Sequence, residues 1–490
     1  MKAFALKLLL EMRPALDGHA GIPQETRLLF RELSALPEFD VEGLLMTGNR
    51  HLARGLRGLA AESDPDRRLD RLSRVVVSMQ PVERSTALSR WRISFITSLQ
   101  PLASALGIQQ RLTQFDATAF RDFVWRAMFE RTLVPEDFDL VTAAQFRVAQ
   151  VPWSVMHAQG VMTSKLGHAL YRRLDTRGYG VMVAETPFPG RVSASTRLVV
   201  RYHDAIPMLM PHTIINRAFH QASHYQALRR NVRDGAWFAC VSDATRNDLL
   251  SIFPQAEPRC VTIHNMISAH YFAADTPVTR IPEILRTRAS SRLVDVLVAT
   301  PKRPSAAPDY LLIVSTIEPR KNHLTLISAW EQLRANGFPN LRLVFVGSPG
   351  WDQGAVADRA KPWVARGLLH LLEDVPAPEL RQLYRHARAT VCPSLQEGFD
   401  FSGVEAMRCG GAVAASDIPV HREVFGEACE LFSPYSSTDA AAAIRRIIAS
   451  DAAPRREELV ALGAEVSARY LPERILPQWR AFLSGLGDPT

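Results

Sequence analysis

Ser394-Leu-Gln-Glu397-Gly-Phe-Asp-Phe-Ser-Gly-Val-Glu405-Ala-Met-Arg-Cys-Gly-Gly411 joins an apolar run to a helical one through a short loop. Val391, Cys392 and Pro393, just before it, end a stretch with the composition of a buried strand. Ser402 followed three residues later by Glu405 has the form of a capping box, which predicts a helix from Gly403. Gly410 and Gly411 should stop that helix after two turns. The N-terminus of such a helix offers free backbone N–H groups and a positive dipole end, a place for a phosphate. Glu397 lies in the loop and Glu405 in the helix, so one carboxylate is placed for a sugar and the other for a ribose. Taken alone, the segment fits equally a helix that Glu405 merely caps, with Glu397 a solvated loop charge.

A second segment shifts that balance. Tyr310-Leu-Leu-Ile-Val-Ser315 reads as a strand, followed by Thr316-Ile-Glu-Pro-Arg320-Lys321-Asn322-His323. Leu324, Ile327, Trp330 and Leu333 then recur at helical spacing. Adjacent Arg320 and Lys321 in a strand-to-helix loop suit a diphosphate, one as a planar fork and the other as a point charge. An Arg-Lys pair on its own is more often solvated surface.

Together the two segments resemble the C-terminal half of the retaining, GT-B-fold glycosyltransferases of family 4. That family carries two glutamates separated by seven residues, as Glu397 and Glu405 are, and a Glu-Pro-Arg-Lys-Asn loop matched by Glu318 to Asn322. Ala415-Ser-Asp-Ile-Pro-Val-His-Arg-Glu423 is similar to the family's segment after the glutamate helix. The likeness is strong from about Tyr310 to Pro434 and patchier before. It implies two Rossmann-like, doubly wound α/β domains facing a cleft. The resemblance makes Arg320 and Lys321 the diphosphate clamp, Glu405 the ribose ligand and Glu397 the residue that holds the donor sugar. It also sets Gly398, Phe399, Asp400 and Val404 against the donor. His203, in Tyr202-His203-Asp204, matches a family histidine that faces the donor sugar. Gly21, in Ala20-Gly21-Ile22-Pro23, is the one close match to the family's Gly-Gly-Ile-Gly loop, and a tight turn explains it as well. Where the family often has Gly-Leu-Pro, this chain has Asp400-Phe401-Ser402. The extra carboxylate bears on donor preference, on the acceptor or on nothing but solvent.

Strand and helix signals alternate in the C-terminal half, with strands at 310–315, 341–347, 368–371, 389–392 and 412–416, the pattern of a parallel sheet. Ligands on such sheets sit beyond the carboxyl ends of the strands, where both motif loops fall. The N-terminal half opens with a strand at 3–10 and a helix at 23–36, and strands return at 198–202, 237–241 and 261–264. The organisation expected is an N-terminal acceptor-side domain over 1–298, with a helical insertion at about 50–138. A Pro/Ala-rich linker at 299–308 and a nucleotide-sugar domain over 309–466 follow. A terminal helix over 467–490 should pack back on the N-terminal domain, as the resemblance implies.

Bulk properties agree. A chain of 490 residues can bury a core in each of two or three domains. No apolar run approaches the roughly 20 residues that span a bilayer. The N-terminal Met1 to Glu11 reads as a strand, not a signal peptide, because Lys7 breaks its apolar run and no cleavage site follows. The five cysteines, without paired spacing, suit buried thiols in a reducing cytoplasm. A net charge of +8 asks for an anionic partner. Scattered basic residues without a binding motif argue against nucleic acid. The run Arg67 to Arg74, continuing through Arg84, Arg90 and Arg92, reads as a solvated helix face; a peripheral contact with the inner face of an anionic membrane is the alternative.

The function expected by resemblance is transfer of a hexose from a nucleotide sugar, with a leaning to GDP-mannose or a related GDP-hexose. Retention is expected, without metal or other cofactor, onto a glycan or lipid-linked acceptor in bacterial surface-polysaccharide synthesis. Asp64-Pro-Asp66 and Asp137-Phe-Asp139 are assigned to surface turns and not to a metal. A sugar-nucleotide epimerase of the same architecture and a catalytically silent scaffold are the competing readings. The glutamate spacing and the Arg-Lys loop favour the transferase over the first, and the full ligand set over the second.

Overall fold

A computed structural model describes residues 5–18, 21–46, 59–79, 104, 106–165, 167–293 and 308–487. Its described strands form two sheets. The first is built from β1 (Leu6–Glu11), β2 (Phe39–Leu45), β3 (Leu112–Phe115), β4 (Gln145–Ala149), β5 (Val181–Ala184), β6 (Arg197–Tyr202), β7 (Trp237–Cys240) and β8 (Cys260–Thr262), in the order β3-β4-β2-β1-β5-β6-β7-β8. Every pairing is parallel except β3 with β4. The second holds β9 (Tyr310–Val314), β10 (Arg342–Val346), β11 (Leu369–Leu372), β12 (Ala389–Cys392), β13 (Val413–Ser416) and β14 (Cys429–Phe432), ordered β11-β10-β9-β12-β13-β14 and wholly parallel.

The strand order locates the cleft. From β9 the chain winds outward through β10 and β11, then returns to β12 on the other side. The loops leaving β9 and β12 therefore diverge, and a crevice opens between them at this switch point. The two loops are those that carry Arg320–Lys321 and Glu397. In the first sheet β1 occupies the same position between β2 and β5.

The strands are apolar because parallel sheets are covered on both faces. β2 escapes the sequence pattern because Asp40 and Glu42 interrupt it. Glu42 is nonetheless buried, satisfied by Lys7 (2.6 Å), Arg147 (2.6 Å) and the Tyr179 hydroxyl (2.5 Å). The expected helical insertion is only partly helical: β3 lies within it and extends the sheet antiparallel to β4. Residues 51–58, 80–103 and 105 of that insertion, with Arg84, Arg90 and Arg92, lie outside the described residues, as do 299–307 of the expected linker and the first residues of the 3–10 strand. The basic run that is described sits on the helix Pro65–Met79, where Arg67, Arg71 and Arg74 pair with Asp64, Glu62 and Asp70.

The last helix, Pro472–Gly487, buries Ile475, Trp479, Leu483 and Leu486 in the core of the first sheet. The Arg201 guanidinium lies 5.1 Å from the Trp479 ring centroid and also pairs with buried Glu25 (2.8 Å). All five cysteines are free and buried. Among the described residues no helix is long and apolar enough to cross a membrane.

Candidate active site

Glu397 is the centre of the charged cluster. Its carboxylate receives Arg320 Nη1 (2.7 Å), Lys321 Nζ (2.5 Å) and the Ser394 hydroxyl (2.7 Å). Burial pushes its pKa up, but the two cations outweigh burial and hold it below the ordinary glutamate value. Arg320 also pairs with Glu318 at 2.7 Å. Asn322 clips the two loops together: its side-chain amide donates to Pro393 O (3.0 Å) and Pro434 O (2.8 Å). Its own backbone is left-handed (φ +58°), which turns the chain into the helix His323–Ala335. The structure thus joins Arg320, Lys321 and Glu397 in one ion-paired group, whereas the sequence suggested separate phosphate and sugar contacts.

The glutamate helix departs from its expected start. It spans Phe401–Arg408, and Asp400, not Ser402, is its N-cap. Asp400 Oδ1 accepts from Ser402 N (3.1 Å) and from the Ser402 hydroxyl (2.6 Å), while Oδ2 lies 3.2 Å from His421 Nε2. Burial raises the Asp400 pKa, but the His421 contact prevails and holds it well below the usual range. With Asp400 as cap, Glu405 is released from the capping box. It accepts instead from Tyr384 OH (3.0 Å) and, from the other domain, from Gln24 Nε2 (3.0 Å). Burial lifts its pKa to about 7. Gly410 ends the helix in the left-handed region, φ +76°.

The first sheet contributes the facing wall. His203 follows β6, and its Nε2 is 3.4 Å from Glu185 Oε2 at the end of β5. Burial lowers the His203 pKa to about 4 and raises that of Glu185 to about 8, so the pair is neutral near pH 7. Gly21, φ +73°, caps the helix Ile22–Ser34 that carries Gln24 to Glu405; its loop neighbours His19 and Ala20 lie outside the described residues.

Gly398 meets the facing domain directly. A Cβ there would stand 1.6 Å from His203 O, and Gly398 O accepts from Ser242 Oγ at 2.7 Å. Phe399 and Val404 spend their side chains in the core, Phe399 against Phe401 and Tyr470, so only their backbone is left to meet a ligand. A second tie between the domains comes from Glu423, which accepts from Asp243 N (2.7 Å) and Ala244 N (2.8 Å) and so caps the helix Asp243–Ile252.

Sequence reasoning missed Gln24, Glu185 and Tyr384, which stand in no motif and whose partners lie 18 to 381 residues away in the chain. It gave no role to Ser394, although Ser394 opens the glutamate motif and donates to Glu397 within it. The Asp-x-Asp strings fall as follows. Asp64 and Asp66 form an exposed turn. Asp137 is not a surface residue: it is buried and paired with Arg31 at 2.9 Å, because the short helix that it precedes, Phe138–Thr142, packs against the helix Ile22–Ser34. Among the described residues no three His, Cys, Asp or Glu side chains are grouped to hold a metal ion.

A cavity of about 390 Å³ opens beside His203, Asp204 and Arg320. A larger one, about 580 Å³ between the helices Ile22–Ser34 and Pro472–Gly487, includes none of the residues the sequence singled out for the donor.

Two doubly wound sheets meeting at such a cleft define the GT-B architecture of glycosyltransferases, and solved structures of that class match the whole chain. Sucrose-phosphate synthase from Thermosynechococcus elongatus superimposes with a TM-score of 0.57 at 16% identity, covering 98% of this chain and 99% of that one. The crystal structure of TarM gives 0.56 at 12% identity over the full length of both chains. The family model described as "Glycosyl transferases group 1" matches residues 301–465. That region of the chain is similar to glycosyl transferases group 1. O-antigen chain mannosyltransferase B of Escherichia coli is 28% identical over 203 residues, 41% of this chain and 49% of that protein. Serotype-specific mannosyltransferase WbdA of Escherichia coli is 25% identical over 272 residues, 55% of this chain and 31% of that protein. The chain thus spans half or less of the length of these curated relatives.

Proposed function

We propose that the protein transfers a hexose from a nucleotide sugar to a glycan or lipid-linked acceptor, with retention and without a metal, in bacterial surface-polysaccharide synthesis. The carrying observation is the group Arg320–Glu397–Lys321 on the loops of β9 and β12, set opposite His203 with Glu405 behind it. The mannosyltransferase relatives support a GDP-mannose or related GDP-hexose donor.

The diphosphate enters as a competitor of Glu397 for two cations that are already positioned. Arg320 and Lys321 turn to the phosphates, and Glu397 is freed to face the sugar. Glu405, protonated in part near neutrality, takes the ribose hydroxyls in place of Gln24. As the bond from the anomeric carbon to the phosphate oxygen breaks, charge on the leaving group meets the fixed cations and the backbone of the glutamate helix. Glu397 stabilises the positive charge growing on the sugar. The acceptor oxygen bonds to the same face of the anomeric carbon, and its proton passes to the departing phosphate. His203, neutral, offers a hydrogen bond to the sugar and not a charge.

The test is nucleoside diphosphate release across a panel of nucleotide sugars, with and without glycan acceptors, repeated in EDTA. Acceptor-dependent release that survives EDTA and gives a product with the donor's anomeric configuration supports the proposal. Interconversion of the donor sugar without transfer would make the protein an epimerase.

A further inference from the structure

His421 touches no residue of the facing domain, yet its hydrogen bonds fix its charge and tie it to the glutamate loop. It lies on the helix Pro419–Val424, is fully buried and stacks on Phe425 with ring centroids 4.9 Å apart. Its Nδ1 is 2.8 Å from Ser416 O and 3.2 Å from Ser416 Oγ, and its Nε2 is 3.2 Å from Asp400 Oδ2. A carbonyl oxygen and an ionised carboxylate can only accept. The Ser416 hydroxyl gives its one proton to Ser394 O at 2.5 Å, so towards His421 it too accepts. Both ring nitrogens therefore donate, and the side chain is a buried imidazolium.

Two lines of hydrogen bonds run from this cation to the two ends of one loop. Through Asp400 the first reaches Ser402 N (3.1 Å) and the Ser402 hydroxyl (2.6 Å), at the start of the glutamate helix. The second passes through Ser416 Oγ to Ser394 O, and Ser394 Oγ donates to Glu397 Oε1 at 2.7 Å. Glu397 and Gly398 lie between the two ends.

The charge of Asp400 makes the first line more than a brace. Asp400 opens the triplet in which this chain departs from the resembling family. A carboxylate at that helix N-terminus uses part of the positive end and repels the diphosphate that the proposed function brings there. Burial opposes the charge, while His421 first, and then Lys321, sustain it. Lys321 is a cation that the incoming diphosphate engages. His421, fully buried, stays on Asp400 and continues to cancel it.

We propose that His421 is a positioning residue for transfer, an inference that rests on the transferase reading: its one imidazolium fixes both ends of the glutamate loop, aims Glu397 through Ser416 and Ser394, and cancels the Asp400 charge that would otherwise repel the diphosphate.

The experiment is a double-variant cycle on the full chain, read by calorimetry with GDP and with UDP, by donor kinetics and by thermal melting. His421→Phe keeps a ring against Phe425 and removes the cation. Ser402 and Lys321 still favour an ionised Asp400, so nucleoside diphosphate affinity should fall roughly tenfold. Asp400→Asn keeps an oxygen at the cap without the charge and should bind at least as tightly as the parent. The Asp400→Asn/His421→Phe double variant should return to within about threefold of the parent. If His421 only fills space, the double variant is at least as weak as His421→Phe. Ser416→Ala breaks only the line to Glu397; it should lower kcat roughly tenfold and leave nucleoside diphosphate affinity within about twofold. His421→Gln takes the place of His421→Phe in the cycle if the latter is unfolded at the assay temperature. Parental affinity in the folded single variant, or a double variant that stays as weak as the single, overturns the inference. A parent that binds neither GDP nor UDP overturns it together with the transferase reading. A parent that binds one of them but releases none from any donor overturns the transferase reading alone, and the calorimetric cycle still decides the charge balance.

Discussion

Gly398→Ala isolates the contact between the two domains. The added methyl would sit 1.6 Å from His203 O, and anything under 3.0 Å demands movement. Both groups are backbone, so no side chain can rotate aside. The loop or the carbonyl must retreat by about 1.4 Å, the difference between those two distances. Overpacking of this kind costs about 1–3 kcal/mol. The retreat also weakens the Ser242–Gly398 hydrogen bond of 2.7 Å, about 1 kcal/mol more. A closed state disfavoured by about 3 kcal/mol is roughly a hundredfold less populated. Arg320, Lys321 and Glu405, proposed to hold the nucleotide, stay together on the C-terminal sheet. Steady-state transfer assays should therefore show kcat/KM falling by roughly that factor, while calorimetry shows nucleoside diphosphate affinity changing far less. Parental transfer from a folded Gly398→Ala protein would refute the argument that catalysis needs this closure.

Three further outcomes are expected from the same geometry. Glu397→Gln should lower kcat more than it raises the donor KM, because its charge matters most as the sugar becomes cationic, whereas Glu405→Gln should act chiefly on the donor KM; equal effects in steady-state kinetics would remove the distinction. His203→Ala should impair transfer yet leave nucleoside diphosphate binding nearly intact in calorimetry, and a large loss of affinity would place the nucleotide on the N-terminal sheet. Glu185 rises from 4.5 to about 8 on folding, so between those values the folded chain holds a proton that the unfolded chain has released. Stability should accordingly fall as pH rises through that window, by an amount on the order of 3–5 kcal/mol for this group. Thermal melts of Glu185→Gln should show a flatter pH dependence than the parent's, and an unchanged slope would contradict the assignment.

The C-terminal sheet was legible because its strands are short apolar runs punctuated by loops of distinctive composition. Glu397, Arg320 and Lys321 declared themselves by sitting where those loops must leave the sheet. What stayed hidden depends on distant partners. Glu42 breaks the apolar run of β2, and nothing local announces that Lys7, Arg147 and Tyr179 converge on it. Ser402 and Glu405 matched a capping box, but Asp400 won the cap because a charged carboxylate two residues upstream reaches the same N–H and gains His421 as well. Gln24 is an unremarkable helix residue until the opposite domain brings Glu405 to it. Asp137 has the look of a turn acid and is a buried partner of Arg31. The cavity beside His203 is assembled from both halves of the chain, so no single stretch contains its lining.

The central claim is that Arg320 and Lys321 bind the diphosphate of a nucleotide sugar whose hexose is then transferred. The most direct measurement is acceptor-dependent nucleoside diphosphate release by the parent and by the Arg320→Ala/Lys321→Ala double variant, with folding checked by thermal melting. A charge-assisted hydrogen bond from either cation to a phosphate is worth about 1.5–3 kcal/mol, so the double variant should be slower by at least roughly a hundredfold in kcat/KM for the donor. A folded double variant that releases nucleoside diphosphate at the parent's rate would contradict the account.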